Sequence, residues 1–159
     1  MLRIPLTVLC CFVIIGCGAG PTPPSDIPAS DLLSAPTHIV ADGQGITLTA
    51  FLARDFMPIA PPDGRPLGGV LRFKSDDGSR VSSSVIADTG WVVRDGEVWS
   101  ATVEQQSRSV TAPHYEVVVR NGPKWSPDIA VTVVARLRDS TGRTMLLRAS
   151  EPITIGIVY

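Results

Sequence analysis

Cysteine is scarce in this chain: three in 159 residues, and none after Cys17. No disulfide can therefore staple the chain beyond that position, and an ordinary hydrophobic core has to stabilise it. Long apolar runs are missing too. After the first sixteen residues no uncharged apolar segment approaches the roughly 20 residues a spanning helix needs. Histidine is limited to His38 and His114, too few to complete a zinc site without carboxylates from elsewhere. Neither sign of charge dominates, with 14 basic against 15 acidic side chains. No basic cluster provides a nucleic-acid footprint. A Gly-x-Ser-x-Gly elbow is absent, and Gly68-Gly69 opens a strand-like run rather than the helix a phosphate-cradling loop would need. No window repeats apolar residues at helical spacing.

What is present begins at the amino terminus. Met1-Leu2-Arg3 is a short cationic start, residues 4–15 are almost wholly apolar, and Gly16-Cys17 is followed by small residues. That order describes a secretory signal, too short to span a bilayer. Ile14-Ile15-Gly16-Cys17 resembles the lipobox of bacterial lipoproteins, whereas Cys10 and Cys11 lack a small residue before them. The resemblance implies a diacylglyceryl group on the Cys17 thiol, removal of residues 1–16, and Cys17 as the first mature residue. The expected location is the cell envelope, with the membrane as a partner through that lipid. Gly18 stands where lipoproteins retained in the inner membrane of enteric bacteria often carry aspartate. This points to the outer membrane in a two-membrane source, and otherwise to the outer face of the cell membrane.

Residues 17–36 then read as a lipidated cysteine and a tether. Pro21, Pro23, Pro24, Pro28 and Pro36 fix φ and remove donors, which favours an extended, semi-rigid spacer. From residue 37 to 159 the dominant period is two. Ile46, Leu48, Ala50 and Leu52 alternate with Thr47, Thr49, Phe51 and Ala53. Ile129, Val131, Val133, Ala135 and Leu137 form a second such run, and Ile153, Ile155 and Ile157 a third. Shorter strand candidates cover residues 67–74, 80–87, 91–94, 97–104, 115–120 and 144–149. Asp77-Gly78, Asp95-Gly96, Asn121-Gly122 and Ser140-Thr141-Gly142 supply turn chemistry. The fold class is all-β: one antiparallel two-sheet sandwich of about 7–9 strands. About 125 residues can bury roughly two thirds of their unfolded surface, as a single domain does.

The run Asp63-Gly64-Arg65-Pro66-Leu67-Gly68-Gly69-Val70-Leu71-Arg72-Phe73 resembles a passage common in bacterial immunoglobulin-like domains. The stretch from Arg138 to Arg143, leading to Ile153-Thr154-Ile155, is similar to their final hairpin. The resemblance implies an immunoglobulin-like sandwich of the cysteine-free kind.

Chemistry is sparse. Ser75-Asp76-Asp77-Gly78-Ser79 lacks the alternating oxygen ligands of a calcium loop and suits a turn. Nothing in the spacing of Glu97, Glu104 and Glu116 selects a pair of acids for hydrolysis. No catalytic residue, cofactor or metal is expected, and the reading is not an enzyme. Two long loops are the binding candidates: residues 55–66, with Phe56 and Met57, and residues 121–127, with Trp125 between two prolines; the favoured alternative is that both fold over the end of the core and bury their apolar residues. Trp91 and Trp99 fall in strand-like runs and are expected in the core. The leading expectation is a non-enzymatic interaction or assembly module with an envelope protein partner. A carbohydrate-binding module centred on an exposed Trp125 is the alternative, and a small envelope hydrolase with an unrecognised acidic pair a third.

Overall fold

The computed structural model describes residues 26–105 and 112–159. The signal sequence and Cys17 lie outside them. Within the described residues the expected architecture holds: two antiparallel sheets stacked into a sandwich. The first sheet comprises β1 (His38–Ala41), β2 (Gln44–Asp55), β3 (Gly68–Ser75), β6 (Glu104–Gln105), β7 (Tyr115–Val119) and β11 (Gly156–Val158). Its order is β1-β2-β3-β7-β6, and β11 adds to β2 as a parallel strand. The second sheet comprises β4 (Ile86–Arg94), β5 (Glu97–Thr102), β8 (Ala130–Arg138), β9 (Thr144–Arg148) and β10 (Ile153–Thr154). There β8 is flanked by β4 on one side and by β9 and β10 on the other, and β5 lies outside β4.

Alternation explains the sandwich. Ile46, Leu48 and Leu52 of β2, Leu71 and Phe73 of β3, and Val117 and Val119 of β7 point inward. They meet Val133, Ala135 and Leu137 of β8, together with Val92 and Trp99, in one core cluster. Tyr115 stacks on Phe73 with ring centroids 5.3 Å apart. Its hydroxyl accepts the Ala87 amide of the opposite sheet and donates to Gln105. A buried phenol is thus satisfied by bonds that also join the layers.

Three details depart from the sequence pattern. Residues 80–85 are not a strand; β4 begins at Ile86. The final alternating run is not one strand. It crosses between sheets: β10 pairs with β8, Ile155 is buried at the crossing, and β11 pairs with β2. Alternation is blind to such a crossing, because inward-facing residues of both sheets enter the same core. Asn121-Gly122 does not close a hairpin. Asn121 has φ +63°, but the chain runs on through residues 122–129 to β8 in the other sheet.

The spacer also ends earlier than composition implied. Instead of running free to Pro36, the chain forms the short helix α1 (Ala29–Leu33) against the outer face of the second sheet. Leu32 is fully buried there, with Ala35, on Trp91, Val93 and Val134. Burying one leucine contributes about 2 kcal/mol, enough to override the local preference of a proline-bounded segment for water. Trp91 accordingly packs outside the sandwich, under α1, rather than in the main core with Trp99.

Candidate functional site

The two long loops converge on one side chain. Arg54, next to last in β2, is only 5% exposed. Its guanidinium donates to the carbonyl oxygens of Asp63, Arg65, Lys124 and Trp125. Four carbonyl acceptors on the two loops match the planar fork of donors that arginine presents. The Phe56 ring lies 4.9 Å from the guanidinium carbon. It approaches Gly64 so closely that a Cβ there would meet the ring at 2.6 Å. Lys124 Nζ contacts Asp63 Oδ2 at 2.5 Å, holding the Asp63 carboxyl below its usual pKa.

This clamp corrects the binding role given to Trp125. The indole is 7% exposed within the main core, and Nε1 donates to Glu97 at 3.1 Å. No open aromatic face remains on which a sugar ring could stack. Phe56 is half-buried under Arg54, so it too serves the loop's own structure. Met57 alone of the three is exposed. The structure thus brings the two loops together, but as a folded cap on the end of the sandwich.

A different surface emerges on the outer face of the first sheet. Here α1 does not intervene, since it packs on the other outer face. Across β2, β3 and β7, Phe51 is in register with Val70 and Val70 with Val118. These three side chains form an apolar ridge. Beside it runs a row of minimal side chains: Gly156 pairs with Ala53, and Ala53 with Gly68. The result is a shallow groove of about 490 Å³, floored by Ala53, Gly68 and Gly69 and walled by Phe51, Val70, Val118 and Val158. Asp55, Arg65, Arg120 and Asn121 form its polar rim. Arg65 pairs with Asp55 at 3.2 Å and Arg120 with Glu104 at 2.9 Å.

Exposed apolar side chains concentrate here. Of the eight large ones among the described residues, Phe51 and Val158 line the groove. The exposed Met57 and Tyr159 follow Phe56 and Val158 in the chain, and those two meet at the groove's end, the Phe56 amide bonding to the Val158 carbonyl at 2.8 Å. Phe51 is 60% exposed, Ile59 81% and Tyr159 82%. No family model, curated protein or solved structure matches this chain. The site must therefore be read from its own chemistry.

Sequence reasoning placed Phe51 on the polar side of the alternation but attached no function to it. The available signal was a phenylalanine where threonine alternates. Gly156 could not be placed on this face without knowing that the last strand changes sheets.

The other candidates are occupied structurally. His38 meets Asp76 at 2.7 Å, and His114 lies 3.3 Å from Glu116. Asp77 accepts the Ser79 amide at 2.9 Å, which makes residues 77–79 a turn. Glu97 is engaged by Trp125, Glu104 by Arg120, and Glu116 by Arg72 at 2.6 Å. Three of the strongest carboxylate environments lie elsewhere. Asp42 accepts from Ser140 and Ser84, which lowers its pKa. Asp139 accepts from Thr141 and Arg143 and is lowered too. Burial pushes Asp88 up, but hydrogen bonds from Arg136 and Thr89 and the charges of Arg136 and Arg138 outweigh it and leave it low. Carboxylates held low stay ionised, as structural ion pairs do. Among the described residues no group of three histidine, cysteine or acidic side chains is placed to hold a metal ion.

Proposed function

We propose that this protein is a lipid-anchored, non-enzymatic interaction module of the bacterial cell envelope, and that a protein partner docks on the groove of the first sheet. The observation that carries the docking surface is the groove itself, where the exposed Phe51 and Val158 stand with Val70 and Val118 over a floor of Ala53, Gly68 and Gly69. Contiguous exposed apolar surface with a polar rim is the usual mark of a protein-binding patch. The small-residue floor suits close approach of a partner backbone, while Phe51 offers an aromatic anchor of the kind that dominates interface energetics.

The anchor rests on the lipobox resemblance at Ile14-Ile15-Gly16-Cys17. The geometry of the domain is compatible with it. The chain enters beside the outer face of the second sheet, and the groove occupies the outer face of the first.

The test uses the full-length protein in its native membrane, with a photo-crosslinking residue at Phe51 and, as control, at Ile86. Ile86 is also exposed but belongs to the second sheet. One protein captured reproducibly from Phe51, absent from Ile86, and lost on Val118→Asp supports the reading. Equal capture from both positions, or capture of wall glycan alone, rejects it. Metabolic labelling with an alkyne fatty acid tests the anchor separately, since Cys17→Ser must abolish incorporation.

A further inference from the structure

The segment that enters the domain is attached differently from everything else in it. Leu32 and Ala35 belong to a cluster with Trp91, Val93 and Val134 that is distinct from the main core. Two bonds from one residue secure its end. The Arg148 amide donates to the Pro36 carbonyl at 2.8 Å, and Arg148 Nε to the Ala35 carbonyl at 3.1 Å. α1 has five residues and no side-chain cap at its start, so it has no stability of its own away from the sheet. The sheet beneath does not need it. The β4–β8 ladder runs from Ile86 to Val93, and its inward residues Val92, Val133 and Ala135 pack in the main core.

We propose that residues 27–36 are a releasable strap. Tension on the chain entering at Asp26 peels this segment from the second sheet as one unit and melts α1. The sandwich stays folded, and an apolar face centred on Trp91 is uncovered. Leu32 is the plug that sets the release, because it is the fully buried side chain of the segment. Arg136, whose guanidinium carbon lies 5.8 Å from the Trp91 ring, stays on the sheet and keeps one edge of the exposed indole polar. This device is independent of the groove: it needs only a pull from the amino-terminal side, whatever supplies it.

Single-molecule pulling on the full chain tests the idea, with handles before residue 26 and after Tyr159. The expected record has a reversible low-force step of no more than about 35 Å, the contour of ten residues, before the sandwich opens. Leu32→Asp should abolish that step and leave the main opening force unchanged. Hydroxyl-radical footprinting of the same variant should then raise modification at Trp91 several-fold, with Trp99 and Trp125 unchanged. A single opening event in the wild type overturns the proposal. So does a Leu32→Asp protein whose main opening force falls, or whose three tryptophans become reactive together, because the segment would then be part of the core.

Discussion

Arg54 Nη1 donates to the carbonyl oxygen of Trp125 at 3.2 Å, across 71 positions of sequence. With the bonds to Asp63, Arg65 and Lys124 it closes one end of the sandwich. Removing this cation leaves several carbonyls buried without donors, each costing about 1–3 kcal/mol where water cannot enter. Arg54→Met, which keeps much of the bulk, is expected to lower stability by about 3 kcal/mol in urea denaturation. Arg54→Lys should lie between it and the wild type, because one ammonium cannot reach acceptors arranged for a planar fork. If Arg54→Met unfolds at the wild-type denaturant midpoint, the clamp is not what holds the two loops.

This clamp shows where the sequence was legible and where it was not. Period-two runs located β2 and β8 because each buries one face, and that pattern is local. Glycine after aspartate marked the turn at Asp95-Gly96, where both residues have positive φ. The same pair of residues, again both with positive φ, turns the chain at Asp42-Gly43 between β1 and β2. By contrast, a buried arginine satisfied by carbonyls has no local signature. Nothing near Arg54 in sequence announces that residues 124 and 125 will arrive beside it. The sequence could therefore suggest that the loops fold over the end of the core, but not that one arginine ties them to each other. The groove was hidden for a related reason, since its lining joins Ala53, Gly68, Val118 and Val158 from four strands.

The groove separates binding from folding. Phe51 points outward and is largely exposed, so Phe51→Ser should change stability by no more than about 0.5 kcal/mol. It should nevertheless abolish crosslinking to the partner from a probe at Val70. Thermal melting checks the first half and capture from membranes the second. A Phe51→Ser protein that melts normally and still captures the partner would falsify the assignment of the anchor.

Two glycines on strands that flank β2 should respond in opposite ways. A Cβ at Gly156 would meet Leu52 O at 3.6 Å and Ala53 Cβ at 3.9 Å, which are ordinary contacts. Gly156→Ala should fold at least as well as the wild type, gaining up to about 1 kcal/mol from reduced freedom of the unfolded chain. It should also weaken docking, because the added methyl would stand 3.9 Å from both the Phe51 ring and Ala53, which line the groove. At Gly69 a Cβ would lie 2.1 Å from the Phe51 carbonyl oxygen, a backbone atom that cannot turn aside. Gly69→Ala should cost more than about 2 kcal/mol. Guanidinium melts of the two variants decide the matter, and equal midpoints would contradict the close approach of β2 and β3.

Acid sensitivity should arise from carboxylates held low in the folded state. Asp88 sits where the β4–β8 register shifts, between Ala87 and Thr89. Arg136 contacts it at 2.7 Å and Arg138 at 3.0 Å. Its folded pKa lies below the unfolded value despite its burial. In the window between those two values the unfolded chain binds more protons, so stability rises with pH there. The contribution is fully present above the unfolded value of about 3.9 and is lost as pH falls through the lower folded one. Asp42 and Asp139 act in the same direction. Asp88→Asn should therefore cost about 1 kcal/mol at pH 7, as expected for ion pairs to two partly exposed arginines. The difference from wild type should shrink as both proteins are taken from pH 5 to pH 2. Melting temperatures across that range measure it directly. A constant gap at all pH values would mean that Asp88 acts through the shape of the bulge and not through its charge.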